Sequence, residues 1–339
     1  MSTVATPSVS PVTASSRAFV RAHLAQATAL GTRLAALIGR PDDLVTAIEA
    51  GFRELGDAAY VEGSRRVAPG LGEVFGVRLP LMEAAHKTFK RGTAGDSSGP
   101  LLDVVDRLIG DRHVDVRWFG MWDLERLLPT DPERTWQLMR RAAREAQEWI
   151  TIDTLAHPYG TGILDDPRRW AELDQLVYSA SQWERRLVGS TLATMPHGDR
   201  PGGRDEAVVR RGLTLIEQLI GDSEPDVQKA LSWALREFAP LDPVVITAFL
   251  EAESQTAWRD WDGNRAWVIR DSLSKLPGDA AARIRSSLQG IRKISGAKST
   301  SRAAIIAAEF GSSEVVGDGP SNDPPSNRPS NVTGRNSAP

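Results

Sequence analysis

The chain reads as all-α, an α-α superhelix of stacked helical repeats followed by a disordered tail. Apolar residues recur at three- and four-residue spacing almost everywhere between positions 16 and 294, and no alternating β-branched run rises above that pattern. A third observation fixes the architecture. One pattern, a polar start, a basic residue beside a Trp or small residue and then a Leu-rich finish, returns four times: "DRHVDVRWFGMWDLERLL" (111–128), "SASQWERRLVGSTLA" (179–193), "DSEPDVQKALSWALREFA" (222–239) and "DWDGNRAWVIRDSLSKL" (260–276).

The basic positions Arg117, Arg186, Lys229 and Arg265 set the period. Their later spacings are 43 and 36, while the first gap of 69 has room for an extra helix. These sit near the roughly 40–47 residues of HEAT-type helical pairs, which stack into a curved solenoid. Starts are marked by "PDD" (41–43), "DPERTW" (131–136) and "DPRRW" (166–170), with Pro or an acid in the first turn. Stops are expected at "HPYGTG" (157–162), "MPHGDRPGG" (195–203) and "LPGD" (276–279), rich in Pro and Gly. The organisation expected is a flexible segment over 1–16, one repeat domain over 17–290, and a tail over 291–339 whose Gly, Ser, Pro and Asn cannot bury enough apolar surface to order it.

Composition narrows the function. A hydrophobic fraction of 41% and a charged fraction of 25% over 339 residues are ordinary for a globular chain. The absence of cysteine removes disulfides, thiolate metal sites and Cys nucleophiles, and fits a cytoplasmic protein. The first sixteen residues have neither the basic nor the apolar region of a secretory signal, and no apolar run approaches the roughly 20 residues of a membrane helix. Residues 17–290 hold 35 basic and 40 acidic residues, so binding to phosphates needs a local basic surface. Arg140, Arg141, Arg144, Arg168, Arg169, Arg185, Arg186, Arg210 and Arg211 are candidates for it; the competing reading is helix faces laced with ion pairs. The five histidines are scattered, which leaves only carboxylates to build a metal site, and no metal is expected. Neither HExxH, GxSxG nor GxGxxG occurs, and "SGAKST" (295–300) lacks the glycine spacing of a phosphate loop.

All ten tryptophans lie between Trp118 and Trp267. Most are expected to fill space between helices. Two have unusual neighbours. In "EWITIDTLAHPYG" (148–160), Trp149 and Asp153 are one turn apart; a helix continuing from the preceding residues puts Leu138, Ala142, Glu145 and Ala146 on the same face, a cleft lining rather than a packed seam. In "KALSWALREF", Lys229 precedes Trp233 by a turn and Arg236 follows it. Asp153 read alone is better explained as a structural ion pair, with His157 one turn on or with a basic residue of a neighbouring repeat. Aromatic faces, a carboxylate and arginines together suit a cationic base, a developing sugar cation and phosphates.

These segments resemble the HEAT-like DNA glycosylases of the AlkD type, the DNA alkylation repair proteins. The likeness rests on Trp149 and Asp153 in a WxxxD pattern, Trp183 and Arg186 in WxxR, and Lys229, Ala230, Trp233, Leu235, Arg236 and Glu237 in KAxxWxLRE; "VDVRWFGMWDLERLL" resembles the preceding repeat helix. The resemblance implies a metal-free monomer that excises N3- or N7-alkylated purines from duplex DNA. It places Trp149 and Trp233 on the lesion's deoxyribose, Asp153 at the sugar cation and its water, and Arg186, Arg236, Lys229, Trp183 and Arg117 on DNA. Where such proteins carry a second acidic or aromatic residue beside the first Trp, this chain has Glu148 before it and Ile150 after it, and Ile150 is expected to lie off the reactive face. The competing class is a catalytically inactive scaffold that binds DNA or protein. A weaker one is a hydrolase using Asp153 with His157, for which nucleophile and oxyanion signatures are missing.

Overall fold

The computed structural model describes residues 11–312, and its secondary structure is helical. The N-terminal helices are α1 (Pro11–Ala35), α2 (Pro41–Leu55), α3 (Ala58–Val67), α4 (Leu79–Gly92) and α5 (Ser98–Ile109). The repeat region follows as α6 (Val114–Met121), α7 (Leu124–Leu127), α8 (Pro132–Glu145), α9 (Trp149–Asp165), α10 (Trp170–Leu176), α11 (Gln182–Thr194), α12 (Glu206–Leu219) and α13 (Pro225–Phe238). It closes with α14 (Pro243–Arg259), α15 (Gly263–Ser272), α16 (Gly278–Ser287) and α17 (Arg302–Ser312).

Two layers emerge from the packing. Helices α6, α9, α11, α13 and α15 lie side by side in chain order, and α8, α10, α12 and α14 back onto them, which gives the expected α-α superhelix. The WxxxD segment and the four repeat segments fall on the first layer, except for the end of the first repeat segment, which forms α7. Burial of large side chains such as Phe119, Tyr159, Leu187, Leu231 and Phe238 makes one continuous core between the layers. The first layer closes tightest at α11 and α13: a Cβ on Gly189 would stand 2.8 Å from the Ala230 carbonyl carbon, so only glycine admits this approach.

Several boundaries differ from expectation. The segment "EWITIDTLAHPYG" does not continue the preceding helix. α8 ends at Glu145, Ala146 turns extended, and a new helix starts at Trp149, so Leu138, Ala142, Glu145 and Ala146 are not on its face. Nor does "HPYGTG" stop α9, which runs through Pro158 to Asp165. Pro158 costs α9 one backbone bond, and the glycines serve packing: a Cβ on Gly160 would lie 3.2 Å from Met195 Cγ, and one on Gly162 2.9 Å from the Trp136 ring. The long first gap of the repeat is filled by α8 and α9, a repeat in its own right. "DRHVDVRWFGMWDLERLL" is split between α6 and α7.

The termini also shift. α1 begins at Pro11, inside the expected flexible segment. Residues 291–301 cross the open edge of the superhelix: Ile291 and Ser301 are buried, the Thr300 amide donates to the Gly221 carbonyl at 2.9 Å, and its hydroxyl donates to Asp262 at 2.5 Å. α17 then packs on α12, so the tail expected from 291 starts too early. This strap orders because it satisfies polar groups left by the last repeat, a need local composition does not report. The rest of the expected tail, 313–339, and residues 1–10 lie outside the described residues.

Candidate functional site

The site starts from how α9 begins. Glu148 is buried and caps the helix: its carboxylate accepts from the amides of Ile150 (2.5 Å) and Thr151 (3.0 Å) and from the Thr151 hydroxyl. Burial lifts its carboxyl above the usual carboxylate range, and the Thr151 and Ile150 hydrogen bonds and the Arg117 charge pull it back down. Trp118 on α6 donates to the Thr151 hydroxyl at 3.1 Å, tying the cap to the neighbouring helix. A cap built from Glu at the start and Thr three positions on reverses the usual order of a capping box. Glu148 carried no weight as a site residue in the sequence, yet it fixes where the first turn of α9, with Trp149 and Asp153, begins.

Asp153 sits one turn later and is held from α11. Arg186 donates to it in bidentate fashion, Nε to Oδ1 at 3.1 Å and Nη2 to Oδ2 at 2.8 Å, and the Ser190 hydroxyl donates to Oδ1 at 2.6 Å. Arg186 Nη1 donates to the Asp226 carbonyl at 2.6 Å, joining the arrangement to α13. The guanidinium also stands 5.9 Å from the Trp149 ring. Arg186, expected on DNA, is 5% exposed and its guanidinium bonds Asp153 and the Asp226 carbonyl, so in the structure it braces Asp153. Of the two ion pairs expected for Asp153, the one with His157 does not form, since His157 is exposed, and the one to a neighbouring repeat does, with Arg186 of α11.

A cleft of about 460 Å³ opens beside this carboxylate. Asp153, Thr154 and His157 of α9 form its floor, Trp122 and Glu125 one side, and Trp233 of α13 another. The structure thus brings Asp153 and Trp233 together across 80 residues of sequence. Ile150, expected off the reactive face, also lines the cleft. Trp149 faces the other way: it packs with Ala68, Leu71 and Val114 in a small second core, and its Nε1 lies 3.4 Å from the Val67 carbonyl. Trp122, which the sequence reading missed, is braced from behind by the buried His86 ring at 5.3 Å, and His86 in turn bonds Asp123 at 3.0 Å. Only its place in a Trp-rich run could have pointed to it.

The remaining expected DNA contacts separate. Lys229 is exposed, with Asp226 at 3.4 Å; Arg236 is tied to the Asp271 carboxylate at 2.6 Å and to its carbonyl at 2.9 Å. Trp183 is half-buried against the core. Arg117 is partly exposed and its Nε is buried without a hydrogen-bond partner. The wider basic surface is mostly consumed by acids: Arg140 pairs with Glu172, Arg141 with Asp106, Arg168 with Asp166, Arg169 with Glu133, Arg185 with Asp222, Arg210 with Glu206 and Arg211 with Asp174. Ion pairing is the outcome expected of a chain with more acids than bases. Away from the cleft, Glu49, Asp111 and His113 place three ligand-type atoms within 4.8 Å of one another, a grouping of histidine with carboxylates that the sequence spacing did not announce.

The family model described as DNA alkylation repair enzyme matches residues 48–276, which run from within α2 through α15 and include every residue of the cleft. The chain belongs to the DNA alkylation repair enzyme family. No curated protein matches it. Membership of this family gives the chain a role in DNA alkylation repair, with DNA as its partner. Among its described residues no helix is long and apolar enough to cross a membrane.

Proposed function

We propose that this DNA alkylation repair enzyme is a glycosylase that frees N3- and N7-alkylated, cationic purines from duplex DNA by hydrolysing the N-glycosidic bond without a metal or cofactor. One observation carries the reading: the Asp153 carboxylate is held by two guanidinium bonds and a hydroxyl in a cleft walled by Trp122, Glu125 and Trp233. An alkylated purine already bears the positive charge that makes it a good leaving group. The C1′–N bond breaks with both electrons going to the base, which departs neutral, and positive charge moves to the sugar. A fixed negative charge then favours the oxocarbenium-like sugar, and the rigid hold on Asp153 supplies it without reorganisation. Water adds at C1′ next to the same carboxylate, and its proton passes to solvent. Trp233 offers an aromatic face to the sugar or base cation. Lys229 and Arg117 supply contacts to phosphates.

Release of 7-methylguanine or 3-methyladenine from alkylated duplex DNA tests this. Asp153→Asn keeps the shape and removes the charge, so base release is expected to slow by roughly 10²–10³-fold, the scale of one lost charge-stabilising group. Trp233→Ala is expected to slow it as well. An Asn variant as fast as wild type removes Asp153 from the reaction, and a wild type that binds DNA yet frees no base leaves a non-catalytic scaffold.

A further inference from the structure

A buried histidine raises the question of both its ring nitrogens, since each donates a proton, accepts one or binds a metal. His113, at the cap position before α6, is 5% exposed, and its ring stacks on Phe75 at 4.1 Å, which fixes the ring plane. Its Nδ1 meets two carboxylates: Asp111 Oδ1 at 2.9 Å and, from α2, Glu49 Oε1 at 3.7 Å. Its Nε2 has a third, Glu73 Oε2, at 3.8 Å. Only the Asp111 contact is a hydrogen bond. The Glu49 carboxylate, on a partly exposed side chain, makes no hydrogen bond and no other ion pair among the described residues. Arg112 is the one cation paired with the group among those residues, and it reaches Glu73 alone, at 3.9 Å. Three carboxylates thus face one imidazole, and the side chain of Asp111 is itself only 7% exposed. Negative charge gathered in so sheltered a place calls for a cation.

Distances decide which cation fits. Nitrogen and oxygen donors about 2.0–2.1 Å from a tetrahedral ion stand about 3.3–3.4 Å apart. The two contacts at Nδ1, 2.9 and 3.7 Å, straddle that spacing, and all three donor atoms lie within 4.8 Å of one another. A proton on Nδ1 satisfies Asp111 and leaves Glu49 too far away for a hydrogen bond, whereas a doubly charged ion satisfies both carboxylates and is neutralised by them. We infer that Glu49, Asp111 and the Nδ1 of His113 form a structural site for a divalent transition-metal ion of the zinc type. An imidazole beside two carboxylates favours such an ion over magnesium or calcium, which take oxygen ligands. Glu73, beyond Nε2, is the outer carboxylate that fixes the tautomer of a metal-bound histidine. The ion joins α2 to the turn between α5 and α6, where α6 begins. That helix sends Val114 into the second core and Trp118 to the Thr151 hydroxyl, so the clamp steadies the neighbour on which α9 leans. None of the site's residues lines the cleft, so the inference stands apart from the glycosylase reading and gives the ion no part in base release.

The test uses the full chain without a histidine tag, stripped with a chelator and titrated with zinc chloride alone. Calorimetry is expected to show one ion bound per chain, and the melting temperature is expected to rise by about 5 °C at a free zinc concentration about a hundred times the Kd. Glu49→Gln keeps the side chain's size at a partly exposed position, so it folds, and its zinc affinity is expected to fall by at least about 100-fold; Glu73→Gln is expected to cost roughly 10–100-fold. Magnesium or calcium chloride at the same concentration is expected to leave the melt unmoved. A wild type that takes up no zinc overturns the site and leaves His113 as a histidine paired with Asp111 and nothing more. Glu49→Gln binding zinc as tightly as wild type also overturns it, because the ion then sits at another histidine, such as the exposed His157 or His197.

Discussion

Replacing Arg186 by Ala distinguishes two roles that its sequence position alone cannot separate. In the structure its side chain is 6% exposed and that of Asp153 21% exposed, so the pair is largely shielded from water. The substitution deletes two bonds to Asp153 and one to the Asp226 carbonyl, and leaves Asp153 with the Ser190 hydroxyl alone. Removing one member of a buried pair costs about 3–5 kcal/mol; the partial exposure of Asp153 puts this case near the lower figure, about 3 kcal/mol. Against a typical total of about 5–15 kcal/mol the protein stays folded, with a melting temperature lower by roughly 5 °C. The freed carboxylate no longer has a fixed direction, so base release at saturating DNA is expected to fall by at least about tenfold, a loss of misplaced charge rather than of binding. Circular dichroism melts, base-release rates and the salt slope of DNA binding are measured on the same preparation. Arg186→Lys, which cannot make the bidentate pair, is expected to recover stability better than rate. The reasoning is refuted if Arg186→Ala lowers the salt slope by about one unit while leaving the saturated rate intact, because that is the signature of a phosphate contact.

Two other outcomes follow from the packing. Gly189→Ala drives a methyl group into the backbone of α13, which cannot yield as a side chain would, so a loss of about 2 kcal/mol and a melting temperature lower by roughly 3 °C are expected, with slower base release because α13 carries Trp233; a melt equal to wild type shows that the two helices are not as tightly seated. Asp115 is buried with three backbone amides, those of Phe75, Gly76 and Val77, on Oδ2 and none on Oδ1, and burial raises its pKa above the unfolded value of 3.8. The sign follows: a raised folded pKa gives stability that is fully present below the unfolded value and is lost as pH rises through the folded one. Asp115→Asn, which lacks this titration, is therefore expected to gain on wild type in melting temperature between pH 4 and pH 7, and a difference that stays flat over that range contradicts the assignment.

The reading from sequence went furthest where the physics is local. Three- and four-residue apolar spacing is a direct image of the helical turn, so the all-α layers were legible, as were the start of α2 at Pro41 and the cap of α8 at Asp131. Trp149 and Asp153 were visible as a pair because four residues are one turn. It failed where a local signal serves a distant partner. Gly160 and Gly162 look like helix stops but are contact points for Met195 and Trp136, and the strap over 291–301 looks like coil until Gly221 and Asp262 are there to receive it.

What the sequence by itself determined is the inventory: a helical repeat, a carboxylate set beside aromatic residues, and arginines whose partners it does not name. The tertiary structure decided which of them meet. Arg186 turned inward to Asp153 rather than outward to phosphate because α9 and α11 pack side by side and bring residues 33 apart within 3 Å. Trp233 and Trp122 came to the cleft while Trp149 turned to a second core. Direction of this kind is set by which helix lies alongside, a property of packing that a single strand of sequence does not carry.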